Sequence, residues 1–301
     1  MVSVSTGNLV SAVMLEGFEQ KQIETAGATI NLVVRGSGPP LLLLHGYPET
    51  HLMWHRVAPR LAQDFTVVAA DLRGYGDSSK PEGGDDHSGY SKRAMAQDQV
   101  EVMAALGHER FAVAGHDRGA RVAYRMALDH PGRVKKLAVL DIIPTYNVYR
   151  DINRLVATAY FHWFFLIQPY DFPERLIGAD PEYFFRSLLS RWGGDLSIFG
   201  DEPLAAYLRA FSDPATIHAS CEDYRAGAGV DYDLDAADVG SRKIACPTLA
   251  LYGRFLDSLG ALDIWREWCD DVVGTPLPCG HFLPEEAPDE TYEALRDFFA
   301  S

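Results

Sequence analysis

The segment Gly115-His116-Asp117-Arg118-Gly119 follows the apolar run Phe111-Ala112-Val113-Ala114 and opens a helical pattern from Arg118 to Asp129. Glycines flanking a polar residue at a strand-to-helix junction mark a nucleophile elbow, in which the central side chain stands at the tip of a sharp turn. The glycines are needed because a Cβ at either place would strike the adjoining strand or helix. The residue at the tip is an aspartate. A carboxylate is suited to displacing a leaving group from sp³ carbon or opening an epoxide, and either reaction leaves an ester of Asp117 that water must cleave. The plain alternative is a tight turn in which Asp117 merely caps the helix. That alternative does not account for two further matches in the same chain order. His45-Gly46-Tyr47-Pro48 follows the Leu41–Leu44 run, where a backbone N–H can serve an oxyanion hole, and Asp71-Leu72-Arg73-Gly74-Tyr75-Gly76-Asp77-Ser78 follows the next apolar run.

Cleaving an ester calls for a general base, and histidine titrates near neutrality. His281, in Cys279-Gly280-His281-Phe282, comes last in the chain, as the order nucleophile, acid, histidine requires. Two acids are placed to orient it: Asp141, which ends the apolar run Val134–Leu140, and Asp257, in the loop after Thr248–Tyr252. The residues alone leave that choice open. His51 and His55 lie four apart, but the glutamate of a His-Glu-x-x-His zinc motif is missing, so no metal is expected.

These residues need a scaffold. Residues 18–35 read as two alternating strands with Gly27 between them, and Leu41–Leu44 reads as a strand buried on both faces. Similar short apolar runs recur at Phe65–Ala70, Phe111–Ala114, Val134–Leu140 and Thr248–Tyr252, with helical patterns between them, such as Tyr90–Leu106 and Arg118–Asp129. That alternation predicts a mainly parallel sheet flanked by helices. The rhythm breaks from about Thr145 to Arg242, a stretch rich in aromatics that reads as helices without strands. The expected division is a core of residues 1–144 and 243–301 and an inserted helical cap of residues 145–242, with a closing helix near Asp289–Phe299.

A chain of 301 residues can bury a large core, and its net charge of −15 argues against nucleic acid or an anionic membrane as partner. Met1 to Phe18 lack the basic start and long apolar run of a secretion signal, and no apolar stretch approaches the roughly 20 residues that span a bilayer. Cys221, Cys246, Cys269 and Cys279 show no CxxC spacing and read as reduced thiols of a cytoplasmic protein.

From about Phe18 to the C-terminus the chain resembles the fluoroacetate (haloacetate) dehalogenase branch of the α/β-hydrolase superfamily. The resemblance is carried by Gly115–Gly119 with Arg121, by Leu140-Asp141-Ile142-Ile143-Pro144-Thr145, by His162-Trp163, and by Asp223-Tyr224-Arg225-Ala226-Gly227. It implies an α/β-hydrolase fold with a helical cap. It also implies roles: Asp117 displaces halide from the α-carbon of a haloacid, His281 activates the water, and Asp141 rather than Asp257 is the acid. Arg118 and Arg121 would hold the substrate carboxylate, and His162, Trp163 and Tyr224 the leaving halide. The backbone N–H groups of Tyr47 and Arg118 would form the oxyanion hole, Trp192 would line the pocket, and the protein would be a homodimer without cofactor or metal. The chemistry agrees for the arginines, because cations in the first turn of a helix oppose its dipole and an anion bound there reverses the penalty. It agrees for the halide too, since imidazole, indole and phenol each offer a donor to charge developing on a poor leaving group.

Two rivals remain. An epoxide hydrolase shares the Asp/His machinery, but such enzymes resemble one another in carrying Trp after the nucleophile, where this chain has Arg118, and they want two cap tyrosines. A hydrolase-fold binding protein without activity would not need Asp117, His281 and an acid together.

Overall fold

The computed structural model describes residues 14–301; residues 1–13, and with them most of the segment read above for a secretion signal, lie outside the described part. Its strands are β1 (Glu19–Glu24), β2 (Thr29–Arg35), β3 (Pro40–Leu44), β4 (Thr66–Ala70), β5 (Phe111–His116), β6 (Val134–Leu140), β7 (Thr248–Tyr252) and β8 (Val272–Pro276). Among the described residues they make one sheet in the order β1-β2-β4-β3-β5-β6-β7-β8. β1 and β2 pair antiparallel, as do β2 and β4; from β4 through β8 every pairing is parallel. Leu41 to Leu44 are fully buried although successive side chains point to opposite faces, which follows from helices packing on both sides of the sheet. This is the α/β-hydrolase architecture expected from the alternation of apolar runs and helices.

The order of the central strands positions the chemistry. Leu44 lies beside Gly115, His116 beside Leu140, and Leu140 beside Leu251. The turns that leave β3, β5, β6 and β7 therefore emerge side by side at the carboxyl edge of the sheet, the usual place for a ligand in an open α/β sheet. Between β6 and β7 the chain forms helices from Thr145–Arg150 to Val230–Asp238, without a strand.

One element departs from the sequence reading. β8 was not among the apolar runs, because Gly274 and Pro276 interrupt it and Val273 is 53% exposed. As an edge strand it needs no continuous apolar pattern. Among the described residues no helix is long and apolar enough to cross a membrane.

Candidate active site

Asp117 joins β5 to the helix Arg118–Asp129 with φ 44° and ψ −113°, a backbone conformation that costs a non-glycine residue of order 1–3 kcal/mol. The flanking glycines make that turn possible. A Cβ on Gly115 would come within 2.4 Å of the Gly119 carbonyl oxygen, and one on Gly119 within 2.4 Å of the His45 carbonyl oxygen. The Asp117 side chain is not a helix cap. Its Oδ1 accepts the Tyr47 amide at 3.0 Å, and its Oδ2 faces His281 Nε2 at 3.9 Å. Of the two amides expected at an oxyanion hole, that of Tyr47 contacts the carboxylate and that of Arg118 does not. Burial opposes ionisation of Asp117, but the charges of His281, His116, Arg121 and Arg118 outweigh it and hold the carboxyl below its usual range.

His281 Nδ1 donates to Asp141 Oδ2 at 2.6 Å, which leaves the Nε2 lone pair directed toward Asp117. Asp141 is itself fixed: it sits at φ 51° beyond β6, and its Oδ1 accepts the Gly253 amide from the end of β7 at 2.7 Å. Burial alone would lower the pKa of His281. The hydrogen bond and charge of Asp141, helped by the charges of Asp117 and Glu286, raise it above the ordinary histidine value. Asp257 is exposed on the short helix Arg254–Ser258 and does not reach the imidazole.

The two arginines differ. Arg118 is buried in a bidentate pair with Asp223, its Nε 2.8 Å from Oδ2 and its Nη2 2.7 Å from Oδ1. Asp223 also receives Lys92 and, at 2.6 Å, the Tyr75 hydroxyl, and Lys92 in turn meets Asp231. Arg121, only 1% exposed, has no acidic partner among the described residues. Its Nη1 reaches the Ile143 carbonyl at 3.0 Å and Thr145 Oγ1 at 3.1 Å, while Nε and Nη2 are buried without an acceptor. The Trp163 ring lies 4.5 Å from the Arg121 guanidinium, and the Tyr224 ring 4.1 Å from that of Arg118.

His162, Trp163 and Tyr224 cluster, with ring centroids 5.6 Å apart for His162 and Tyr224 and 6.1 Å for Trp163 and Tyr224. Each carries a buried polar atom without a partner: His162 Nδ1, Trp163 Nε1 and Tyr224 Oη. Burial, only partly opposed by the Asp117 charge, pushes His162 down to about 3, so its ring is neutral. Trp192 packs 4.6 Å from His162 and 5.7 Å from His281. It lines a cavity of about 330 Å³ that also touches Asp117, Asp141, Tyr160, His162 and His281. Arg118, Arg121, Trp163 and Tyr224 are not on its wall.

Asp223, Lys92 and Tyr75 were given no role by the sequence reading. Asp223 stands in a motif noted there, but nothing local links it to Arg118, 105 residues away. His51 Nδ1 bonds Asp71 Oδ1 at 2.8 Å and His55 Nδ1 the Leu52 carbonyl at 3.0 Å.

A family model described as alpha/beta hydrolase fold matches residues 39–288. The chain is 50% identical over 291 residues to the fluoroacetate dehalogenase of a Burkholderia species, covering 95% of each protein. It is 36% identical over 279 residues to a soluble epoxide hydrolase of Corynebacterium, covering 91% of this chain and 94% of that one. The crystal structure of ALR0039 from Nostoc sp PCC 7120 superposes with a TM-score of 0.92 at 60% identity, covering 94% of this chain and 98% of that one.

Proposed function

The chain belongs to the α/β-hydrolase fold family, in the same group as the Burkholderia fluoroacetate dehalogenase, and we propose that it hydrolyses haloacetates to glycolate and halide through an ester of Asp117. The observation that carries this reading is Arg121. A buried cation without an ion-pair partner is expensive, by several kcal/mol, even with the charge of Asp117 nearby, and an anion would complete it. A substrate carboxylate supplies it, beside the Asp117 nucleophile and next to Arg118, whose own charge Asp223 already balances. The three unpartnered donors of His162, Trp163 and Tyr224 are the complement of a departing halide.

The steps follow from the atoms. Asp117 Oδ2, free of hydrogen bonds to the backbone, attacks the α-carbon and forms the C–O bond as the C–X bond breaks; the electron pair leaves with the halide. Oδ1 becomes the ester carbonyl, still on the Tyr47 amide. His281 Nε2 takes a proton from water, the hydroxide adds to Cγ of Asp117, and the charge gathers on Oδ1. Collapse expels the glycolate oxygen, which takes the proton from His281, and one proton is released to solvent as Asp117 regains its charge. No cofactor or metal enters these steps. Of the expected division, the described residues 14–144 and 243–301 act as the core and residues 145–242 as the cap that brings His162, Trp163, Trp192 and Tyr224. The resemblance adds a homodimer, and the cysteine spacing a cytoplasmic location.

Epoxide opening uses the same nucleophile and base, and the Corynebacterium relative keeps it in view. A neutral epoxide would leave Arg121 uncompensated, which is why the haloacid is preferred. The test is halide release, measured by ion chromatography, from fluoroacetate, chloroacetate and bromoacetate in parallel with disappearance of a simple epoxide. Release of halide with the epoxide untouched is the expected result; the reverse would transfer the assignment to epoxides.

Arg121 permits a sharper check. Arg121→Met removes a charge-assisted contact of about 1.5–3 kcal/mol, so kcat/KM for haloacetates is expected to fall roughly 10- to 150-fold, mainly through KM. Turnover of the uncharged haloacetamide should be spared. Equal losses on both substrates would take the carboxylate away from Arg121.

A further inference from the structure

Behind His281 lies a row of buried polar groups that the steps above do not use: His116, Glu49, Glu285 and Tyr207. The proton directions along it can be read from one end. The carbonyl oxygen of His281 can only accept, so His116 Nε2, 2.8 Å away, donates to it. In a neutral imidazole the other nitrogen then carries the lone pair. Glu49 Oε2 stands 3.2 Å from that nitrogen, so with His116 neutral a proton between them would be carried by Glu49. Glu49 lies against Glu285, and Glu285 Oε1 accepts the Tyr207 hydroxyl at 2.8 Å. With both glutamates ionised and His116 neutral, Glu49 Oε1 and Oε2, Glu285 Oε2 and His116 Nδ1 would all be buried without a partner.

We propose that Glu49 and Glu285 are kept as neutral carboxylic acids whose hydrogen-bonded row, running from Tyr207 to His116, fixes the peptide of His281. They are positioning residues, and this inference rests on the reading of His281 as the base. Glu286 holds the opposite side of the same segment, accepting the Gly280 amide at 2.6 Å and the Phe282 amide at 2.8 Å. The imidazole is thereby clamped from both flanks, which matters because a displacement of about 1 Å at a reacting group can cost roughly 10²-fold in rate.

The surroundings favour the neutral acids. The charged or titratable groups facing the pair are Asp117, Glu286, His116, Tyr207 and Arg56. The one cation among them, Arg56, directs its Nη1 to the Glu285 carbonyl oxygen at 2.8 Å. Burial first, then the charges of Asp117 and Glu286, raise Glu49 well above the carboxylate range. Burial likewise pushes His116 down to about 4, with His281 adding to the effect. A proton retained in the fold but lost by the unfolded chain makes stability fall as pH rises from the ordinary carboxylate value of about 4.3.

The test compares Glu49→Gln, whose amide can donate to His116 and accept from Glu285 at any pH, with Glu49→Ala, which breaks the row. In the full-length protein, ¹⁵N NMR should find His116 at neutral pH as the neutral tautomer protonated on Nε2. Glu49→Gln should keep kcat within about twofold near neutrality, lose the fall in kcat expected of the native protein as Glu49 ionises, and flatten the loss of stability between about pH 4.3 and the raised value of about 8 in denaturant titrations. Glu49→Ala should lower kcat by roughly 10²-fold with KM little changed. An imidazolium at His116 near neutral pH overturns the proposal, as does a Glu49→Gln protein that keeps the native pH dependence of both kcat and stability. The NMR and stability readings need no substrate, so they stand or fall separately from the haloacetate assignment.

Discussion

Asp117→Asn is expected to lower kcat for halide release by roughly 10⁴-fold or more, the scale seen when a covalent nucleophile is removed from a preassembled site. The change is nearly isosteric, and asparagine tolerates the positive φ of 44° better than most residues. Its side-chain oxygen can still accept the Tyr47 amide that now reaches Oδ1 at 3.0 Å. What disappears is the charge and the lone pair proposed to attack carbon. The native carboxyl is held below its usual pKa, so it stabilises the fold above the ordinary carboxylate value, and that share is lost as pH falls through the depressed one. The Asn protein should therefore melt slightly earlier than the native protein near neutrality and match it in acid. Fluoroacetate binding, measured by calorimetry, should persist through Arg121. Residual turnover within tenfold of native would mean that another group attacks the substrate.

The parts of this site that were legible in the sequence are those whose constraints are local. Gly115 and Gly119 record backbone approaches near 2.4 Å that permit no Cβ, so their spacing around Asp117 could be read directly. Leu41 to Leu44 record burial on both faces of a central strand. The position of His281 was legible from chain order. Asp141 and Asp257 could not be told apart by their residues, since each follows a strand ending at the same edge of the sheet. Family resemblance favoured Asp141, which in the fold bonds His281 Nδ1 while Asp257 faces solvent. The partners of buried charges were illegible. Arg118 finds Asp223 105 residues away, and His116 finds the His281 carbonyl 165 residues away, pairings that only the folded chain brings about.

Those hidden pairings change what the arginines mean. From spacing they look equivalent, three apart in the first turn of one helix. In the fold Asp223 balances Arg118, and Lys92 with Asp231 completes a buried set of two cations and two acids. Removing one member of such a set strands the others, at about 3–5 kcal/mol. Arg118 thus anchors the helix Pro214–Ala228, which carries Tyr224, to the nucleophile turn. Of the two arginines, Arg121 is the one without an ion-pair partner among the described residues, and it is the one proposed to meet a ligand's charge.

His281→Asn is expected to separate the two half-reactions. Attack by Asp117 does not use the imidazole, so one equivalent of halide per site should still appear. The ester then waits for water that no base activates, and its hydrolysis should slow by roughly 10²–10⁴-fold. Intact-protein mass spectrometry should find the mass of one carboxymethyl group added, placed on Asp117 by peptide mapping. In the native enzyme the base must be neutral, and Asp141 raises the pKa of His281. The acidic limb of kcat should therefore fall at a pH above the ordinary histidine value of about 6.5, with activity rising through it as the proton leaves. Halide release in a single turnover should lack that limb, because ionised Asp117 is needed there and its carboxyl titrates far lower. Multiple turnovers without an adduct in the Asn protein would remove His281 from ester hydrolysis.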